Sequence, residues 1–167
     1  MKLLPAFLVL AASLIVSAGG ASAQDSTAQE GDKYWGTDCT GPRRSADVLT
    51  CTATQRILVA KTQQLLFQVK VITPAAKGAP VMELQGPLNV FLPGGFALSI
   101  DGADLIKVAV SNCNNRGCFG AVKLEPAMIE VLKHGQNLKI AFLSGPEKSQ
   151  YVETPLAGFT RAMQAIE

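Results

Sequence analysis

Four cysteines and a single histidine are the residues of this 167-residue chain with the most chemistry to offer. The cysteines fall into two groups, Cys39 with Cys51 and Cys113 with Cys118, whose sulfurs could hold zinc, exchange electrons or form disulfides. Structural zinc sites draw on knuckles with two to four residues between cysteines, and the interval from Cys39 to Cys51 is too long for that pattern. A redox pair relies on a thiolate lowered by a helix N-terminus in a Cys-x-x-Cys setting, whereas the stretch CNNRGC (113–118) is wider and precedes a strand-like run. In an exported chain an even cysteine count is read as disulfides. Three pairings are open in principle. Proximity along the chain favours Cys39–Cys51 and Cys113–Cys118, because each pair flanks a polar, turn-rich segment, TGPRRSADVLT or NNRG. In the chain-entropy picture the larger ring stabilises by about 3 kcal/mol and the smaller by about 2 kcal/mol.

Other catalytic chemistry is thinly supplied. His134 falls at the end of an expected helix, where the dipole favours a polar or cationic side chain. A serine or cysteine nucleophile would need this one histidine as its base, and the cysteines are committed elsewhere. Asp101 and Asp104 could pair for acid–base work, yet they flank a glycine turn where aspartate caps its own backbone. No nucleophile elbow, phosphate-binding loop or His-Glu-x-x-His occurs. The expectation is a protein that is not an enzyme, with no catalytic residues, no metal and no cofactor.

The compartment follows from the N-terminus. Lys2, the apolar run from Leu3 to Val16 and the small residues Ala21-Ser22-Ala23 form the three parts of a secretory signal. Cleavage is expected after Ala23. A retained anchor would need about 20 apolar residues, more than this run supplies. No cysteine sits at the cleavage point to take a lipid, and no later segment is long and apolar enough to span a bilayer. Residues 24–33 read as a flexible leader and residues 34–167 as one folded domain. The part after Ala23 carries 14 basic and 13 acidic residues, so its net charge of +1 provides no broad field for nucleic acid or an anionic membrane. The expected location is the periplasm, with the cell surface as an extension of the same route.

The pattern that must position these residues is mostly strand. VLTCTAT (48–54) is rich in β-branched residues, and QQLLFQVKVIT (63–73) alternates so that Phe67, Val69 and Val71 share a buried face. Short apolar runs follow, VMEL, NVFL, FALSI and LIKVAV, each closed by turn chemistry such as Pro93-Gly94-Gly95 or Asp101-Gly102. NLKIAFLS alternates Leu138, Ile140 and Phe142 inward. EPAMIEVLKHG (125–135) has Pro126 where a first helical turn accepts it, an apolar face of Met128, Ile129 and Leu132, and a terminating Gly135. FTRAMQAIE repeats that spacing through Phe159, Ala162, Met163 and Ile166. The fold class is mainly β: a single-domain antiparallel β-sandwich or barrel-like fold with one or two short helices, stapled by disulfides.

Three arginines stand on constrained backbone: Arg43 and Arg44 in the larger ring and Arg116 in the smaller. Rigid loops lose little entropy on meeting a partner, which makes these three the candidate partner-binding residues. Trp35 is read as a core or edge anchor beside Cys39.

Several of these residues together resemble the invasion-associated locus B family of bacterial exported proteins. The resemblance runs through Tyr34-Trp35, Cys39, Cys51, Gln55, Leu92-Pro93-Gly94-Gly95, Ser99-Ile100-Asp101-Gly102, Cys113, Gly117-Cys118 and the closing stretch Leu156 to Ala162. It spans nearly the whole chain after the leader, and the order and spacing of the motifs carry it. It implies a periplasmic or cell-surface β-rich domain, linked by the family's name to host-cell invasion or to the envelope. The expected function is therefore a non-enzymatic interaction protein whose partner is an envelope or host protein. The alternative is a periplasmic carrier of a small apolar ligand, for which a barrel or sandwich leaves room.

Overall fold

A computed structural model of the chain describes residues 34–41, 49–74 and 78–167. The signal, the leader, Arg43 and Arg44 lie outside the described residues. Among the described residues ten strands and two α-helices follow one another as β1 (Trp35–Thr40), β2 (Thr50–Leu58), β3 (Leu65–Thr73), β4 (Val81–Gly86), β5 (Phe96–Ile100), β6 (Ala103–Val108), β7 (Val110–Asn114), β8 (Gly117–Lys123), α1 (Pro126–His134), β9 (Asn137–Leu143), β10 (Ser149–Pro155) and α2 (Phe159–Ile166). They form a six-stranded sheet in the order β1-β2-β3-β4-β8-β7 and a four-stranded sheet in the order β10-β9-β5-β6. Every strand pair is antiparallel.

The two sheets bury one face each, which is the arrangement of a β-sandwich. The alternation of β3 delivers Phe67, Val69 and Val71 to the interior, all fully buried, and β4 adds Met82 and Leu84. From the other sheet β5 contributes Phe96, Leu98 and Ile100, and β9 contributes Leu138, Ile140 and Phe142. Phe67 joins the layers: its ring lies 5.5 Å from that of Phe96, edge to face, and 5.4 Å from that of Phe142. A second link is polar. The buried Gln55 of β2 donates from Nε2 to the carbonyl oxygen of Pro155, at the end of β10, at 2.9 Å. A buried amide with no acceptor would cost roughly 1–3 kcal/mol, so this bond fixes where β10 ends relative to β2.

The chain passes from one sheet to the other between β6 and β7, with Ala109 alone separating them. A bend this tight brings other backbone against it. A Cβ on Gly120 would lie 2.6 Å from the Ala109 carbonyl oxygen, and one on Gly95 would meet that of Val108. Glycine at both positions lets β8 and the start of β5 close on the corner. The run LIKVAV, expected to be one strand, is thus split across two sheets. NVFL forms no strand; it leads into a single 3-10 turn at Leu92–Gly94 with Pro93 in its first turn, and Val90 is buried in the core.

The helices match their patterns. Phe159, Ala162, Met163 and Ile166 of α2 are all buried, and Phe159 meets Trp35 edge to face at 5.0 Å. Trp35 is therefore a core anchor at the start of the domain. In α1 Pro126 occupies the first turn and Leu132 is buried. Gly135 ends this helix in extended rather than left-handed backbone. Its reason for being glycine is space, since a Cβ there would collide with Ile100 Cγ2.

Candidate functional site

Both disulfides lie at the margins of the six-stranded sheet. Cys39 of β1 is bonded to Cys51 of β2, and Cys113 of β7 to Cys118 of β8, with each pair directly opposed in the strand register. Because β1 and β7 are the two edge strands of that sheet, each bond fastens an edge to its inner neighbour. Edge strands expose unpaired backbone groups and are the first to fray or to recruit foreign strands. The sulfurs thus act where the sheet is weakest.

The second ring also builds a surface. Its turn carries Arg116, whose amide nitrogen donates to Asn114 Oδ1 at 2.8 Å and whose carbonyl oxygen accepts from Gln85 Nε2 at 2.7 Å. Gly117 follows at φ +142°, and a Cβ there would run into the carbonyl oxygen of Gly86. Only glycine lets the hairpin lie this close to β4. The backbone of Arg116 is thereby held from both sides, while its side chain is exposed.

Beside it, on the outward face of the sheet, the register sets Gln68, Gln85, Phe119 and Asn112 in one row across β3, β4, β8 and β7, with Lys70, Glu83 and Ala121 in the next. Two adjoining depressions of about 260 Å³ and 210 Å³ occupy this face, and both are lined by Glu83, Arg116 and Phe119. A further cleft, of about 240 Å³, separates β1 from α2 and is lined by Trp35, Thr37, Gly158 and Arg161.

The remaining expected residues are dispersed. His134 closes α1 with its side chain 83% exposed and Nε2 3.6 Å from Glu130 Oε2, one helical turn away. Asp101 corrects the expectation that it caps its own turn: its carboxylate accepts from the amide nitrogens of Gln136 and Asn137, each at 2.9 Å. It joins the β5–β6 turn to the α1–β9 junction from a left-handed backbone at φ +50°. Asp104 is exposed on β6. Among the described residues no group of three or more His, Cys, Asp or Glu is placed to hold a metal.

Sequence reasoning found Arg116 but not its companions. Phe119, Gln85, Asn112 and Asn114 join it only through the pairing of β8 with both β4 and β7. The usable signal was the alternation in GCFGAVK, which sets Phe119 on the face opposite the buried Cys118. On the apolar-carrier alternative, a ligand between the sheets would meet the rings of Phe67, Phe96 and Phe142, of which Phe67 packs against the other two.

Residues 35–167 match the protein family described as Invasion associated locus B (IalB) protein. The crystal structure of invasion associated protein b from Bartonella henselae superposes with a TM-score of 0.69 at 18% sequence identity, covering 80% of this chain and 90% of that chain. At that identity the likeness is one of fold. The comparison with curated protein sequences returned no match.

Proposed function

The chain belongs to the invasion associated locus B family, and from that membership we propose that it is an exported, non-enzymatic binding protein of the bacterial envelope. Its location in this reading is the periplasm, extending to the cell surface. The two disulfides and the secretory pattern of residues 1–23 support export, because such bonds persist in oxidising compartments. Among the described residues no helix is long and apolar enough to cross a membrane.

The observation that carries the binding role is the backbone of Arg116, held by Asn114, Gln85 and the Cys113–Cys118 bond while the guanidinium stays exposed. A side chain presented on fixed backbone meets a partner with little ordering cost. The relative from Bartonella henselae is named for an association with invasion; here the corresponding partner is an envelope or host protein.

A photo-crosslinking residue at Asn115, in intact cells, tests this. The expected result is one dominant protein adduct, reduced at least fivefold when Arg43, Arg44 and Arg116 are changed to alanine. Adducts that are absent, or unaffected by the three substitutions, would contradict the reading.

A further inference from the structure

The groove beside the Cys113–Cys118 ring has a chemistry more specific than that of a general contact surface. Phe119 lies half-buried on the solvent side of the sheet, between the two depressions that share it. Around it stand planar polar groups: the amides of Gln68, Gln85, Asn112 and Asn114, the carboxylate of Glu83 and the guanidinium of Arg116. We propose that this groove is a saccharide-binding site that takes a short oligosaccharide. The proposal deepens the binding role above and rests on its assignment of this face.

A pyranose has an apolar C–H face and a rim of hydroxyls that are each both donor and acceptor. An aromatic ring covers the first, and planar amide or carboxylate groups match adjacent hydroxyls on the second. The protein leaves such groups available. Gln85 uses Nε2 on the Arg116 carbonyl and Asn114 uses Oδ1 on the Arg116 amide, so Gln85 Oε1 and Asn114 Nδ2 remain for a ligand. These two bonds also fix the orientation of both side chains before any ligand arrives, which reduces the entropy lost on binding.

Charge and shape point the same way. Lys70 and Arg116 against Glu83 leave the groove at a net +1, far from the multiple cations that hold a polyanion. An apolar ligand needs most of its surface enclosed, whereas a saccharide lying in a shallow groove keeps its outward hydroxyls in water. From β3 to β7 the groove crosses three strand spacings, roughly 14 Å, the length of a few sugar units. An extended peptide would instead use main-chain bonds along a sheet edge. Here the nearest edge, β7, is interrupted by a register shift between Val110 and Asn112, and the groove runs across the strands rather than along them.

The test is a titration of the disulfide-intact, isotope-labelled protein with two probes, chitotriose and maltotriose, followed by amide NMR shifts. The expected result is saturable shifts confined to Phe119, Arg116, Gln85 and their neighbours with at least one probe. Phe119→Ala should weaken that binding tenfold or more, and Asn112→Ala, on an exposed edge position, serves as a second variant that leaves the core untouched. Shifts absent with both probes, shifts scattered over the surface, or unchanged affinity in both variants would overturn the proposal. If the sugars fail while the crosslink at Asn115 still captures an Arg116-dependent protein, the saccharide site falls and the binding role stands. Localised shifts without any protein adduct would uphold the saccharide site and replace the protein partner.

Discussion

Phe67→Ala is expected to remove about 3–5 kcal/mol of stability, seen as a fall of roughly 10–20 °C in Tm. Phe67 is fully buried, and its ring meets Phe96 and Phe142 of the opposite sheet. Truncation would remove the transfer free energy of the ring and leave a cavity between two sheets whose backbones cannot both move inward to fill it. Equilibrium denaturation with urea measures the difference, with m unchanged if the unfolded state is unaltered. A loss below about 1 kcal/mol would mean that the ring does not sit between the layers.

The second large effect concerns the sulfurs. Replacing Cys39, Cys51, Cys113 and Cys118 together by serine should cost about 5 kcal/mol, the sum of about 3 and about 2 kcal/mol from the two closed loops. More telling than the total is where the loss appears. Because the bonds hold β1 and β7, the edges of the six-stranded sheet, amide exchange should accelerate first in Trp35–Thr40 and Val110–Asn114. The central strands β3 and β4 should keep protection closer to the global limit. Equal acceleration throughout the sheet would show that the bonds act on the whole chain rather than on its margins.

The parts of this architecture that could be read from the sequence are those where one face is buried and the other wet. The alternations around Phe67, Val69 and Val71, and around Leu138, Ile140 and Phe142, mark strands because period two is a property of the strand itself. The α2 stripe is legible for the same reason at helical period. What escaped are elements whose partners define them. β1, WGTDCT, buries only Trp35, and β10, SQYVETP, buries only Thr154. Both are edge strands, held by pairing and not by a hydrophobic pattern. NVFL has strand composition, but Pro93 and the tight approach to β5 divert it into a turn. The corner at Ala109 carries no local signal at all, since the bend depends on Gly95 and Gly120, distant in sequence but pressed against it.

The candidate site was half visible in the same sense. A cation in a short ring is apparent from CNNRGC alone. That Phe119 faces solvent beside it depends on β8 lying between β4 and β7, a non-local fact. Asp101 shows the converse: local turn chemistry was correct for the backbone but wrong for the carboxylate, expected to cap its own turn, whose partners lie in residues 136 and 137.

Export underlies the proposed role, since it supplies both the oxidising conditions for the sulfurs and access to envelope partners. Its most direct measurement is the intact mass of the protein recovered from its own cells under denaturing, non-reducing conditions with a thiol-alkylating reagent. The account predicts a chain beginning at Gln24, four hydrogens lighter than its reduced form and carrying no alkyl group. A mass equal to the full 167-residue chain with all four cysteines alkylated would contradict it.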